Sequence, residues 1–461
     1  MHRNLRFAAL CLILGTAVPA AAWDDFIVLT TDFQSVGGVT RVDRDAPWSS
    51  AIDVATISSD AVGRWHDGRY YVVNRSAANI QVLDPAQGMA TVLQFSVGVG
   101  RNPQDIAFST DGRAFVSCLD AALLLEVDPV AGGVVGSWST AGYADADGLP
   151  ETGWMLAVAD RLFITCQRLN RDGWWEPTGP GLLLVFDMST GTWGAPVTLA
   201  GYNPAPPLSL SPDGTRLLAP TVGLYGLLDA GFETVDLATL TSSGLLVTEQ
   251  QFGGEIVDVV MTGAHRAWAI LSSTSFRTSL KTFDPAGGAA PVAVVASNGY
   301  DYADLAWDGA QQIYLCDRTT SAAGVRVFHQ TSAAELTAAP IPTGRPPFQA
   351  VLPLESDATA APVVAAVAGP ALGAPWPNPA NPRTTFAAAA APGEDVAFAV
   401  LDLRGRRLRE ARRTAGADGR AVWEFDGRDR AGRALPSGAY RVTVSGAGEA
   451  PGEARLFTLA R

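Results

Sequence analysis

A strand-rich unit recurs six times along this chain at steps of 42 to 53 residues, and no other feature limits the fold so tightly. "NPQDIAFSTDGRAFVSCLDAALLLEVDP" (102–129) reads as strand, Asp-Gly turn, strand, turn, strand. "VGRWHDGRYYVVNRSAANIQVLDP" (62–85), "APPLSLSPDGTRLLAP" (205–220) and "YADLAWDGAQQIYLCD" (302–317) repeat it, and "WMLAVADRLFITC" (154–166) and "VDVVMTGAHRAWAIL" (257–271) carry weaker turns. The Asp-Gly pairs at 67–68, 111–112, 213–214 and 308–309 are hairpin signals, because glycine takes φ > 0 without steric cost. The third strand of most units ends on an aspartate, as at Asp84, Asp128, Asp187, Asp236 and Asp284. Units of this length are four-stranded propeller blades. The chain ends supply a seventh. "DFIVLTTDFQSVGGVTRVDRD" (25–45) has outer strands without an inner one, and "TGRPPFQAVLPL" (343–354) is an inner strand with nothing after it. Joining them closes a ring and leaves no open sheet edge.

With "PQDIAFSTDGRAFV" at 103–116 as its nearest match, the repeat resembles seven-bladed propellers of the YVTN/NHL-like group over about 23–354. The resemblance implies a fold and not an activity, since such propellers serve enzymes, ligand binders and scaffolds alike. The expected architecture is all-β: a seven-bladed β-propeller followed by a small C-terminal Ig-like β-sandwich.

Residues 355–374 are rich in Ala and Pro and read as a linker. From 375 to 461 the pattern alternates as strands, at "VAFAVLDLRGRRLRE", "RAVWEFDG", "GAYRVTV" and "ARLFTLAR". Ordered motifs run through it: Asn378-Pro379, Asn381-Pro382 and Thr384; then Asp402, Gly405 and Arg406; then Trp423, Asp426, Gly427, Arg428, Asp429 and Gly432; then Ser437, Gly438 and Tyr440. The segment resembles the bacterial Ig-like module related to the flagellar hook-capping protein and to type IX secretion sorting domains. That resemblance implies export or attachment to the cell surface, with the secretion machinery as a partner. Read from the residues alone, "DGRDRAG" is turn chemistry, Asp and Gly forming a tight turn with Asx-type hydrogen bonds, with Trp423 filling the core.

The first 22 residues carry Arg3 and Arg6, an apolar run from Phe7 to Val18 and an Ala20-x-Ala22 site, the pattern of a secretory signal peptide. After it no apolar stretch is long enough to span a bilayer. The expected location is therefore secreted or cell-surface, with the periplasm as the alternative. The net charge is −13, so nucleic acid is not an expected partner. Charge is divided unevenly: 375–461 carries 14 Arg against 10 acidic residues, while 1–374 is strongly acidic. Cys118, Cys166 and Cys316 sit in short apolar strands and read as buried thiols, with a bridge between two of them as the alternative.

Signals for catalysis are few. His66, His265 and His329 lie in different blades without metal-ligand spacing, and no phosphate-binding loop, nucleophile elbow or C-x-x-C is present. Aligning the blades places Asp105, Asp258 and Asp304 at one equivalent position near the start of the innermost strand, with Asp301 close by. Carboxylates there would ring the channel and suit a hard cation such as Ca²⁺; alternatively each caps its own loop. Val62, Trp154 and Pro207 hold that position in blades 2, 4 and 5, so the ring is incomplete. Blade 4 carries an insertion, "QRLNRDGWWEPTGPG" (167–181), whose Trp174 and Trp175 either stack on a sugar or partner or fold back over the blade; Tyr300 and Tyr302 would extend the same surface. Three functions follow: an exported binding or scaffold protein that contacts protein or glycan at the envelope, a lactonase- or lyase-like hydrolase with an axial metal, and a purely structural surface component. The first fits the residues best, with no cofactor required.

Overall fold

The computed structural model describes residues 23–287, 289–354, 371–372, 375, 378, 380–390, 393–402, 406–416, 419–445 and 454–460. Residues 1–22, expected to be a signal peptide, most of 355–374, expected to be a linker, Pro379 and Gly405 lie outside them. The chain divides into two units, Met1–Pro362 and Val363–Arg461.

The first unit is a β-propeller of seven antiparallel sheets. Blade 1 is composite. Its innermost strand, Pro347–Val351, pairs with Phe26–Thr31, which continues through Val36–Val42 to Ser50–Ser58. Ile27 faces Val351 and Val28 faces Ala350 across that seam. Closure by pairing the two ends of the unit matches the sequence expectation, and the innermost strand gains a partner that no other segment supplies. Blades 2 to 7 occupy 61–96, 103–139, 152–202, 209–248, 255–296 and 302–342. In blade 4 the strand Pro180–Asp187 pairs with two outer pieces, Thr192–Trp193 and Val197–Tyr202; in blade 5 Gly231–Asp236 does the same with Thr241–Ser242 and Val247–Thr248.

Burial explains the composition of each strand. Second strands such as Ala114–Cys118 are buried on both faces and read as continuous apolar runs, whereas the outermost Ala90–Ser96 is mostly exposed. Side chains of neighbouring blades share one core: Tyr71, Val73 and Val82 of blade 2 pack with Ile106, Phe108 and Val116 of blade 3. Gly68, Gly112, Gly214 and Gly309 adopt φ between +66° and +83° in the turns after the innermost strands. The recurring third-strand aspartates make Asx turns at the next corner. Asp128 accepts Val130 and Ala131 N–H at 2.8 Å, and Asp187 accepts Ser189 and Thr190 N–H at 2.9 Å. The Ser189 hydroxyl, donating to Asp187 at 2.7 Å, and these backbone bonds hold Asp187 below the usual carboxylate range, and the backbone bonds alone do so for Asp128. Cys118, Cys166 and Cys316 are free and buried.

The second unit is a two-sheet sandwich. Ala371–Leu372, Thr384–Ala389 and Arg420–Phe425 form one sheet. Arg407–Thr414, Asp395–Leu401, Gly438–Ser445 and Ala454–Leu459 form the other. Trp423, Phe386, Phe398, Phe425 and Phe457 fill the core between them. The motif residues are turn and edge chemistry. Asp429 accepts Ala431 and Arg433 N–H at 2.9 Å, Asp402 accepts Arg406 N–H at 2.9 Å, and Asn378 accepts Thr458 N–H at 2.8 Å. The Tyr440 hydroxyl donates to Pro436 O at 2.8 Å. Among the described residues no helix is long and apolar enough to cross a membrane.

Candidate ligand-binding face

In a four-stranded antiparallel blade the innermost strand starts at the same end of the propeller where the second strand turns into the third. The loops that gather there are therefore the connections between blades and the second-to-third turns. Every strongly exposed aromatic among the described residues lies at that end: Phe33, Trp174, Trp175, Tyr202, Tyr225, Phe276 and Tyr300. The opposite end carries the Asp-Gly and Asx turns. Among the described residues the strongly exposed aromatics are thus confined to one of the two faces.

A pocket of about 390 Å³ opens on the aromatic face. Its walls include Trp154, Tyr225, Phe276, Tyr300 and Phe348, and Glu255, Asp258 and Asp304 contribute carboxylates. These residues belong to blades 4, 5, 6, 7 and 1, and converge only because the ring closes. Its volume lies within the range of small-molecule sites. Glu255 is buried at the start of its strand, and its Oε1 accepts Gly226 N–H at 2.5 Å. Burial raises its carboxyl above the ordinary range. The Tyr225 phenol is pushed up to about 12 by desolvation, with Tyr300 and Glu255 adding to it.

The aspartate column holds the ring together. Asp105 Oδ2 accepts Met155 N–H of blade 4 at 2.9 Å, Asp258 Oδ2 accepts Leu305 N–H of blade 7 at 2.7 Å, and Asp304 Oδ2 accepts Ala350 N–H of blade 1 at 2.9 Å. Gln349 does the same for blade 2, its Oε1 accepting Gly63 N–H at 2.8 Å. Each side chain bridges its own innermost strand to the next one. Where Trp154 replaces the acid, its indole donates to Ala205 O at 2.8 Å. Asp105 also accepts Arg64 Nε and Nη2 at 2.9 and 2.7 Å. Asp105 and Asp258 also accept the next N–H of their own segments, from Ile106 at 2.8 Å and Val259 at 2.7 Å, as the capping reading expects, while the Oδ2 of all three acids reaches the neighbouring blade. Asp301 stands apart and accepts Gly299 N–H at 3.1 Å within its own loop. Among the described residues no three His, Cys, Asp or Glu side chains gather into a metal site. Burial raises the Asp258 carboxyl to about 6 and lifts Asp304 well above the ordinary range, where the neighbouring Asp258 adds to the effect; Arg64 opposes the rise at both.

The blade 4 insertion is a miniature hairpin, Leu169–Asn170 against Glu176–Pro177. Trp174 and Trp175 form its tip, at φ of +63° and +62°. Two adjacent tryptophans in the left-handed region are uncommon, and such strain clusters at functional sites. Trp174 is 94% exposed. Trp175 rests on the Arg171 guanidinium, 4.8 Å from its ring centre, and Arg171 is anchored to Glu151 and Asp120 at 2.8 Å. Trp174 thus projects away from the blade, while Trp175 lies back on Arg171 and is half-exposed. Tyr302 is a correction: it is buried in the blade 7 core, and its hydroxyl accepts Arg326 Nη1 at 3.2 Å. Tyr300, two residues earlier, precedes the strand and stays on the rim. Tyr225, Phe276, Phe348 and Glu255 escaped the sequence analysis, because nothing local marks residues that meet across blades. The one available signal was that Tyr225 and Phe276 are aromatics in second-to-third turns.

No family model matches the chain, and no curated protein matches it. Among solved structures it is similar to hydrazine synthase of Kuenenia stuttgartiensis, at 15% identity and a TM-score of 0.48, over 63% of this chain and 87% of that one. A streptogramin B lyase is similar at 11% identity and a TM-score of 0.45, over 64% and 89%. PorZ, a surface component of the type-IX secretion system of Porphyromonas gingivalis, is similar at 13% identity and a TM-score of 0.46, over 93% of this chain and 64% of PorZ. The chain thus spans less than two thirds of PorZ. At these values the likenesses carry no functional argument, and the propeller assignment rests on the strand pairing above.

Proposed function

We propose that this chain is an exported binding or scaffold protein whose propeller engages a protein or glycan ligand through its aromatic face. The observation that carries the reading is that, among the described residues, all seven strongly exposed aromatics gather at the end where the axial pocket opens. Exposed aromatics desolvate at little entropic cost and dominate interface energetics. The C-terminal sandwich, with its hook-capping and sorting-like motifs, serves export or attachment in this reading, and the leader directs the chain out of the cytoplasm.

Two experiments test it. A glycan and envelope-protein binding screen is repeated with Trp174→Ala/Trp175→Ala. Loss of the hit by about tenfold or more is expected for a hot-spot pair, and unchanged binding of every hit overturns the role of the face. The full chain and a version ending at Ala374 are then expressed and the cells fractionated. Surface or medium location of the full chain alone supports a sorting tail, and identical location of both forms refutes it.

A further inference from the structure

The walls of the axial pocket combine two chemistries that seldom coincide. Trp154, Tyr225, Phe276, Tyr300 and Phe348 present π faces or edges, and Glu255, Asp258 and Asp304 sit among them. An aromatic ring attracts a cation within about 6 Å of its centre, and the attraction grows as water is excluded. A carboxyl group behind the rings adds to this attraction, because a bound cation favours its charged form. A neutral apolar guest would gain from the rings and would leave the acids without compensation.

The protein already places guanidiniums against these walls. Arg64 lies 5.5 Å from the Trp154 ring centre, and Arg318 lies 5.6 Å from the Tyr300 ring centre. Arg64 is committed to Asp105, to which it gives Nε and Nη2, whereas Arg318, also 5.6 Å from the Phe33 ring centre, is shared between Phe33 and Tyr300 and takes one side of the Tyr300 ring. The carboxylates of Glu255, Asp258 and Asp304 accept from backbone N–H groups. At Glu255 the Gly226 dipole orients the carboxyl and supplies no counter-charge, whereas Arg64 acts on Asp258 and Asp304.

We infer that the axial pocket is a recognition site for an organic cation, a substituted ammonium or a guanidinium, caged by Tyr225, Phe276 and Tyr300 above Glu255. This deepens the binding role proposed above and rests on it. The cation comes either as a free small molecule or as the Lys or Arg side chain of a partner protein, which the aromatic face would surround.

The test is calorimetry on the full chain with four probes: choline, its neutral isostere 3,3-dimethylbutan-1-ol, the peptide Gly-Arg-Gly and the neutral disaccharide maltose. A cation is expected to bind at least about tenfold more tightly than the isostere, the tighter of choline and peptide identifying the source. Phe276→Ala and Glu255→Gln are each expected to weaken it by about tenfold. Phe276 is an exposed loop residue, and the amide introduced by Glu255→Gln keeps an oxygen for Gly226 N–H, so neither change threatens the fold. Equal affinity for the isostere, tighter binding of maltose, or no saturation by either cation at about 10 mM overturns the inference. Trp174→Ala/Trp175→Ala separates the two claims, since it should leave choline binding intact while abolishing partner capture. A partner lost with those tryptophans, together with silent cation probes, would preserve the aromatic-face role and remove only the cation site.

Discussion

Asp105→Ala should be among the most damaging single changes in the propeller. The carboxylate is fully buried and accepts four N–H donors: Arg64 Nε and Ile106 N on one oxygen, Arg64 Nη2 and Met155 N on the other. Removing one partner of a buried ion pair costs about 3–5 kcal/mol, and the 24% exposure of the Arg64 side chain puts this case at the low end. The buried Met155 N–H is orphaned as well, at about 1–3 kcal/mol. The sum is about 4–6 kcal/mol, a large share of a domain's net stability. Asp301→Ala is the matched control: it removes one 3.1 Å bond from a half-buried loop and should cost about 1 kcal/mol or less. Asp105→Asn combined with Arg64→Gln removes both charges while keeping an oxygen for Met155, and should recover most of the loss. The assay is urea unfolding of the full chain followed by tryptophan fluorescence, since ten of its twelve tryptophans lie within 23–354. A cost below about 1 kcal/mol for Asp105→Ala, or an equal cost for Asp301→Ala, refutes the view that these acids staple blade to blade.

Burial pushes the Glu249 carboxyl up to about 8. Its folded form favours the proton more than the unfolded chain does, so its stabilising contribution is complete below the ordinary Glu range and is lost as pH rises through about 8. Glu249→Gln should flatten this decline in thermal melts between about pH 5 and 9, two settings that bracket the transition; an unchanged slope would contradict the assignment. Burial also pushes the Cys118 and Cys166 thiols up to about 12 and raises Cys316 further, so a thiol reagent should label all three only after denaturation. Labelling of the native protein at any of them would show that its blade opens. Trp423→Ala empties the centre of the C-terminal core and should destabilise that unit by about 3–5 kcal/mol, read from proteolysis of residues 375–461. Survival of that segment in the variant would count against its two-sheet core.

The recurrence of strand and turn was enough to specify the blades, because both are local. Asp67-Gly68 needs only its own φ angles to reverse the chain, and Asp128 needs only the N–H groups two and three residues on. Closure of the ring was legible for the same reason, since an inner strand without a blade and outer strands without a core are each incomplete in the sequence itself. The insertion that carries Trp174 and Trp175 was legible as a break in that pattern, but the sequence left open whether the pair is exposed or folds back. What the aspartate column does, and which residues form the pocket, depended on which strands become neighbours. Met155 and Asp105 are 50 positions apart, and Gly63 and Gln349 are 286 apart, so no local pattern pairs them. Tyr300 and Tyr302 differ by two positions, yet one precedes the strand and lines the pocket while the other begins it and faces the core. Local backbone preference is written residue by residue. The environment of a side chain in a propeller is decided by the neighbouring blade, which only the closed tertiary structure brings beside it.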